Sequence, residues 1–398
     1  MPINNFRTPE GDLENQTYIT ESWLVDQWIG DQLWVWGDNT SGQLGQNLIS
    51  SSRSTPITTL PGGNNWKQIS CGESHSAAIK TDGTLWTWGL NSYGQLGNNL
   101  GTGAGTANRS TPVTTFAGGT NWKQVSCGRL FTTAIKTDGT LWTWGRNQFG
   151  QLGTNNSVDR STPVTTFTGG NNWKQISGGF NHTAAVKTDG TLWGWGRNSY
   201  AQLGVNDTTD RFSPVETSAA GTNWKQVACG SEFTAAIKTD GTLWAWGNGT
   251  AGILGNNQFN NRSTPVTTFA GNTNWKQVSC GILHMAAIKT DGTLWAWGSN
   301  FSGMLGINDN NPGGILTPVT TFSGGNNWKQ VSCGTNFSAA IKTDGTLWLW
   351  GQNNTGQLGN GNTVNRSTPV TTFAGGNNWK QVSTGQGHTM VVTSGPEY

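Results

Sequence analysis

The chain runs to 398 residues, of which 58 are Gly and 23 Trp, while charged residues make up only 11% and the net charge is +2. That balance excludes recruitment to nucleic acid or an anionic membrane by a global field, and no apolar run approaches the ~20 residues of a spanning helix. The opening Met-Pro-Ile-Asn-Asn-Phe-Arg-Thr-Pro-Glu has neither a basic nor an apolar stretch, so it does not read as a secretory signal. Residues 1–32 carry six acids against one Arg, and Trp23 and Trp28 are the only Trp outside the repeats that follow. With Leu24 and Ile29 they mark a docking segment, on a short amphipathic helix or a strand, that anchors the rest of the chain.

From residue 33 onward the chain repeats itself. Leu-Trp-x-Trp-Gly occurs seven times, starting at Leu33, Leu85, Leu141, Leu192, Leu243, Leu294 and Leu347, at spacings of 52, 56, 51, 51, 51 and 53 residues. A period near fifty means one supersecondary unit stacked on copies of itself. In the unit from Asn121 to Phe167, the alternating Lys123–Cys127 predicts an innermost strand and Thr132–Lys136 a second. Asp138-Gly139 predicts a two-residue hairpin turn with positive φ at both positions. Leu141–Gly145 is then a third strand, with Trp142 and Trp144 on one face. A Gly-rich loop ending in Gln-Leu-Gly follows, and Val164–Phe167, after Pro163, predicts an edge strand.

The two ends are half-units. The chain enters at the third strand, Leu33–Gly37, and leaves after a first and second strand, Asn378–Ser383 and His388–Thr393. Joined, they complete a seventh unit and remove the open edges of the array. The fold expected over 33–393 is therefore all-β. It is a seven-bladed β-propeller of four-stranded antiparallel blades, closed by N- and C-terminal strands sharing one blade, with 394–398 as a tail.

Residues that could carry chemistry are absorbed by the repeat. All thirteen Lys fall at two repeat positions, in Asn-Trp-Lys and in Lys-Thr-Asp-Gly, which spreads them around the body rather than along a stripe. Cys71, Cys127, Cys229, Cys280 and Cys333 share one position with Gly178 and Thr384. One thiol per unit disfavours disulfides and reads as a small buried hydrophobe. His75, His182, His284 and His388 share theirs with Phe131, Phe233 and Phe337. A position that accepts Phe selects a flat ring for packing, not a metal ligand or a general base. The reading is non-enzymatic, with no catalytic residues, cofactor or metal and no nucleic-acid partner.

Val-Ser-Cys-Gly-x-x-[His/Phe], Lys-Thr-Asp-Gly-Thr-Leu-Trp-x-Trp-Gly and Asn-x-x-Gly-Gln-Leu-Gly together resemble the regulator-of-chromosome-condensation repeat, over about residues 33 to 393. The resemblance implies a propeller with one face for partners. That family includes a guanine-nucleotide exchange factor, a plant UV-B photoreceptor and a β-lactamase inhibitor. Where the photoreceptor reading needs Trp, this chain has Glu73, Arg129, Phe180, Ser231, Ile282, Thr335 and Gln386. No unit is long enough for the exchange factor's inserted β-wedge, so neither activity is implied.

The units differ most just after the Gly that ends strand one and just after Trp-Gly, at strand ends on one face. The candidate contact residues are Glu73, Arg129, Leu130, Arg146, Phe149, Phe180, Asn181, Arg197, Tyr200, Glu232, Ile282, Leu283, Asn336 and Gln386. Arg and aromatic types, enriched at binding hot spots, dominate the middle of that set. A lead segment running into a Trp-rich propeller also resembles proteins of marine bacteriophages. That likeness implies a virion structural or attachment protein, held to other virion proteins by residues 1–32 and turning its variable face to a host-surface ligand. The alternative is a microbial interaction propeller with a soluble protein partner, inhibitor-like or scaffolding, in the cytoplasm or on the cell, without membrane insertion.

Overall fold

The computed structural model describes residues 31–49, 51–59, 63–101, 107–219, 221–269, 273–309 and 313–395. Seven four-stranded antiparallel sheets form the ring, and the only helices among these residues are two short 3-10 turns. In one blade the strands, from the channel outward, are Trp122–Cys127, Phe131–Lys136, Leu141–Gly145 and Arg160–Thr165. The outer strand starts before Pro163 rather than after it. A bulge between Arg160 and Val164 lets the edge strand carry a residue without an N–H. The hairpin also differs from expectation. Gly139 alone has positive φ, +82°, and its N–H reaches Lys136 O at 3.0 Å, so Asp138 stays in the ordinary region. Asp138 Oδ1 instead accepts from Thr140 N at 2.9 Å and Thr140 Oγ1 at 2.7 Å. These bonds hold its carboxyl below the usual range.

The closing blade is shared between the ends. Leu33–Gly37 pairs with His388–Thr393 from Leu33↔Val392 to Gly37↔His388, inside Arg53–Thr58 and outside Trp379–Thr384. Where other blades have the hairpin Gly carbonyl accepting the next blade's Trp N–H, Asp31 O accepts Trp66 N–H at 3.2 Å. Lys380 Nζ also hydrogen-bonds the Asp31 carboxylate.

The core lies between blades, and each Trp of a unit has its own task. Trp144 is fully buried and donates its Nε1–H to Gln95 O of the preceding blade at 2.9 Å. Trp122 packs edge-on against it at 6.1 Å. Half-buried Trp142 caps the blade, bonding Thr140 Oγ1 at 3.0 Å. The Gly before each His or Phe is a floor for that ring. A Cβ on Gly72 would stand 2.2 Å from His75 Cε1, and one on Gly128 2.1 Å from Phe131 Cε1.

A girdle of side-chain bonds surrounds the channel. The Gln68 amide acts as a spare peptide group, donating to Val125 O at 2.8 Å and accepting from Val125 N at 2.7 Å. Ser70 Oγ accepts from Cys127 N at 2.9 Å. Most blade pairs repeat both bonds, but Ala228 stands where a Ser would meet the Cys280 amide. Ala228→Ser is therefore expected to stabilise the protein by about 0.5–1.5 kcal/mol. The check is an increased urea midpoint; an unchanged or lower one counts against the girdle. The same seam replaces polar residues by Phe233, Ile253 and Met285, all packed in one apolar cluster.

Strand direction gives the ring two unlike faces. Trp66 is paired with Lys80 at one sheet end, while His75 and Arg109 both meet Gly89 at the other. Repetition of this register places all thirteen lysines on one face, in contrast to the even scatter expected from sequence. The nine described arginines lie toward the opposite face, where the variable residues follow the strand ends.

Candidate partner-binding face

The two variable sets meet on this loop face. In every blade the residue after Trp-Gly donates its N–H to the second residue of the first set, as in Arg146 N to Leu130 O at 3.0 Å and Arg197 N to Asn181 O at 2.9 Å. The first set forms the mouth of the central channel, where Glu73, Arg129, Phe180, Ser231, Ile282, Thr335 and Gln386 each follow a channel-lining Gly. They surround a cavity of about 110 Å³, room for a few waters or one extended side chain.

Charge and aromatic surface are concentrated in one sector spanning four blades. Arg129 Nε is 2.8 Å from Glu73 Oε2, and its guanidinium lies 4.2 Å from the Phe180 ring centroid of the next blade. Outside that inner arc, Arg146 stacks on Tyr93 at 5.1 Å. Arg197 stacks on Phe149 at 5.3 Å and Tyr200 at 5.9 Å, and pairs with Glu232 at 3.5 Å. Each Arg thus bridges to a neighbouring blade, which holds long side chains in place before any partner arrives. The remaining blades offer Ile282, Leu283, Asn336 and Gln386, with Asp38 engaged by Thr40 and Gln43.

The structure places all fourteen sequence-selected face residues at this end of the blades, but not all are available. Leu130 is 8% exposed and Asn181 6%, so both are buried and leave the contact surface. Tyr93 was not among the selected residues, although it occupies the repeat position of Phe149 and Tyr200. Its pairing with Arg146 brings it into the sector. Trp23, Leu24, Trp28 and Ile29 lie outside the described residues.

Titratable groups near the channel are committed to structure. The hydroxyl of Thr132 donates to Gln95 O at 2.9 Å, so at the 3.0 Å contact it must accept from His75 Nε2–H. The same logic fixes the tautomer of His388 on Ser76, His182 on Thr234 and His284 on Ser338. Burial pushes His75, His182 and His284 down to about 3 and His388 to about 4. Burial likewise pushes the thiols of Cys127, Cys229 and Cys333 up to about 12, and those of Cys71 and Cys280 also upward. They are protonated and unreactive at neutral pH. Among the described residues no three His, Cys, Asp or Glu side chains gather as a metal site.

Residues 28–220 match the RCC1-like domain, and residues 240–288, 291–341 and 344–392 match the regulator of chromosome condensation (RCC1) repeat. The ultraviolet-B receptor UVR8 of Arabidopsis thaliana is 33% identical over 347 residues, which cover 85% of this chain and 77% of that protein. The X-linked retinitis pigmentosa GTPase regulator homolog of Caenorhabditis elegans is 30% identical over 69% of this chain, but the match spans only 23% of that longer protein. Among solved structures, Prp20p from Saccharomyces cerevisiae has a TM-score of 0.81 at 18% identity, covering 93% of this chain and 92% of Prp20p. That likeness is one of fold.

Proposed function

The chain belongs to the regulator of chromosome condensation (RCC1) repeat family, and we propose that it is a protein-binding propeller whose partner seats on the Arg–aromatic sector of the loop face. The observation that carries this reading is the asymmetry of an otherwise seven-fold frame. Three arginines, each stacked on an aromatic ring, occupy two adjacent blades, while the other side of the mouth is nearly uncharged. Rigid aromatic surface with guanidinium groups on its face is the chemistry of interface hot spots. A guanidinium has five N–H donors, so Arg129 and Arg197 keep donors beyond those used on Glu73 and Glu232. Binding rather than catalysis is supported by the commitment of the histidines and thiols to packing. Related propellers bind proteins, as Prp20p does Gsp1p and histones. A virion role draws no support from these relatives.

Arg129→Ala, Arg146→Ala and Arg197→Ala combined are expected to weaken partner binding at least 10-fold, leaving Tm within a few degrees of wild type. The measurement is quantitative recovery of partner from the source cell on immobilised protein. Gln352→Ala on the uncharged side serves as the control. Equal recovery by the triple variant would mean that the sector is not the contact surface.

A further inference from the structure

The lysine face has its own unassigned chemistry. On it, thirteen lysines stand against eight carboxylates: Asp31, Glu216 and the six Asp of the Lys-Thr-Asp-Gly turns. The Asn-Trp-Lys lysines, one per blade, are all exposed. Six more lie over Trp pairs, as Lys187 does at 4.8 Å from Trp173 and 3.8 Å from Trp193. The face therefore combines ammonium groups with half-buried indole edges. The opposite end, with nine arginines against seven carboxylates, is close to balanced.

The chain reaches this face at Asp31, because Leu33–Gly37 runs from it toward the loop face. Residues 1–30 carry five acids, Glu10, Asp12, Glu14, Glu21 and Asp26, against Arg7 alone. They also carry Trp23, Leu24, Trp28 and Ile29, side chains suited to indole edges and lysine stems. The first acid within the described region is already engaged in this way, since Lys380 Nζ hydrogen-bonds Asp31. At ~3.3 Å per residue, thirty residues reach up to roughly 100 Å, so every lysine of the ring is within range. Opposite charge, aromatic content and point of attachment agree. We propose that residues 1–30 bind the lysine face of their own chain, with the acidic side chains on the Asn-Trp-Lys lysines and the apolar group over the Trp edges. Intramolecular docking raises the effective concentration of a weak ion-paired segment and makes its occupancy sensitive to salt.

Zero-length carbodiimide coupling of the full-length chain tests this. Equal amounts of ¹⁵N-labelled and unlabelled protein are mixed, cross-linked at low and high salt, and mapped by mass spectrometry. The expected products join Glu10, Asp12, Glu14, Glu21 or Asp26 to Asn-Trp-Lys lysines within one isotope class, and fall several-fold at 0.5 M salt. Full-length protein with Glu10→Lys, Asp12→Lys and Glu14→Lys should lose links to those positions, and its ring lysines should acetylate several-fold faster. Links that join the two isotope classes in about half of the products, as random pairing of two copies gives, would place a second copy on the face and overturn the proposal. So would absent links, or an acetylation rate unaffected by the charge reversal. Because the loop face contributes nothing to these readouts, the outcome is independent of partner binding there.

Discussion

Between pH 8 and pH 5 the protein is expected to lose roughly 8 kcal/mol of folding stability, and a variant with His75→Phe, His182→Phe, His284→Phe and His388→Phe to lose almost none. Each imidazole is fully buried, donates Nε2–H to a hydroxyl, and has no hydrogen-bond partner for Nδ1. Protonating it within the fold buries a charge, which the Asp38 carboxylate near His388 offsets only in part. Folded values of about 3, and about 4 for His388, lie below the ~6.5 of an unfolded His. The unfolded chain therefore takes up protons first. Stability is whole well above pH 6.5 and drains as the pH falls toward the folded values, by roughly 2 kcal/mol per histidine at pH 5. Domains of ordinary stability hold only about 5–15 kcal/mol, so unfolding should begin well above the pH at which carboxylates titrate. The turn aspartates, held below their usual range, act in the separate window below about pH 4. Phe is a fair replacement because Phe131, Phe233 and Phe337 already occupy equivalent sites, each over its own Gly. Urea midpoints at pH 7, 6 and 5 decide the matter. Parallel curves for wild type and the Phe variant, or a His Cε1 proton titrating near 6.5, would discard the explanation.

Removing residues 379–398 should unfold the whole ring rather than one blade. The cut takes Met390 and Val392 from the cluster shared with Trp66 and Trp88, and Trp379, Val382 and Val391 from the cluster around Trp36 and Leu349. At about 1.5–3 kcal/mol per buried large side chain, the loss is comparable to the entire stability. It also leaves Leu33–Gly37 without its inner partner. A permuted chain, with residues 379–393 placed ahead of Leu33 through a Lys-Thr-Asp-Gly turn, restores the blade and should melt within a few degrees of wild type. Circular dichroism melts of both chains are the readout. A truncated protein with an intact transition would show that closure contributes little.

How much of this is visible in the residues depends on which question is asked. The spacing of Leu-Trp-x-Trp-Gly counts the blades, and the half-units at the ends dictate the shared blade, because both are one-dimensional facts. The sharing of one position by His75 and Phe131 foretold a packed ring. The opposite polarity of the Lys and Arg faces was not legible until strand direction and register put Lys80 beside Trp66 and Arg109 beside Gly89. Leu130 and Asn181 vary like surface residues yet are buried, since a repeat position specifies the blade end and not a side chain's exposure there. The turn at Asp138 departed from the two-residue form because Asp138 Oδ1 captures the Thr140 amide and hydroxyl, leaving only Gly139 to take positive φ.

Because Leu33–Gly37 begins, and His388–Thr393 ends, on the lysine side, both ends of the propeller are attachment points on that side of the ring. Among the described residues, neither end of the propeller emerges on the opposite surface. Such a geometry suits a display platform. Tethers, fused modules or an immobilising tag can be attached at either terminus while the upper rim stays free to receive a visitor.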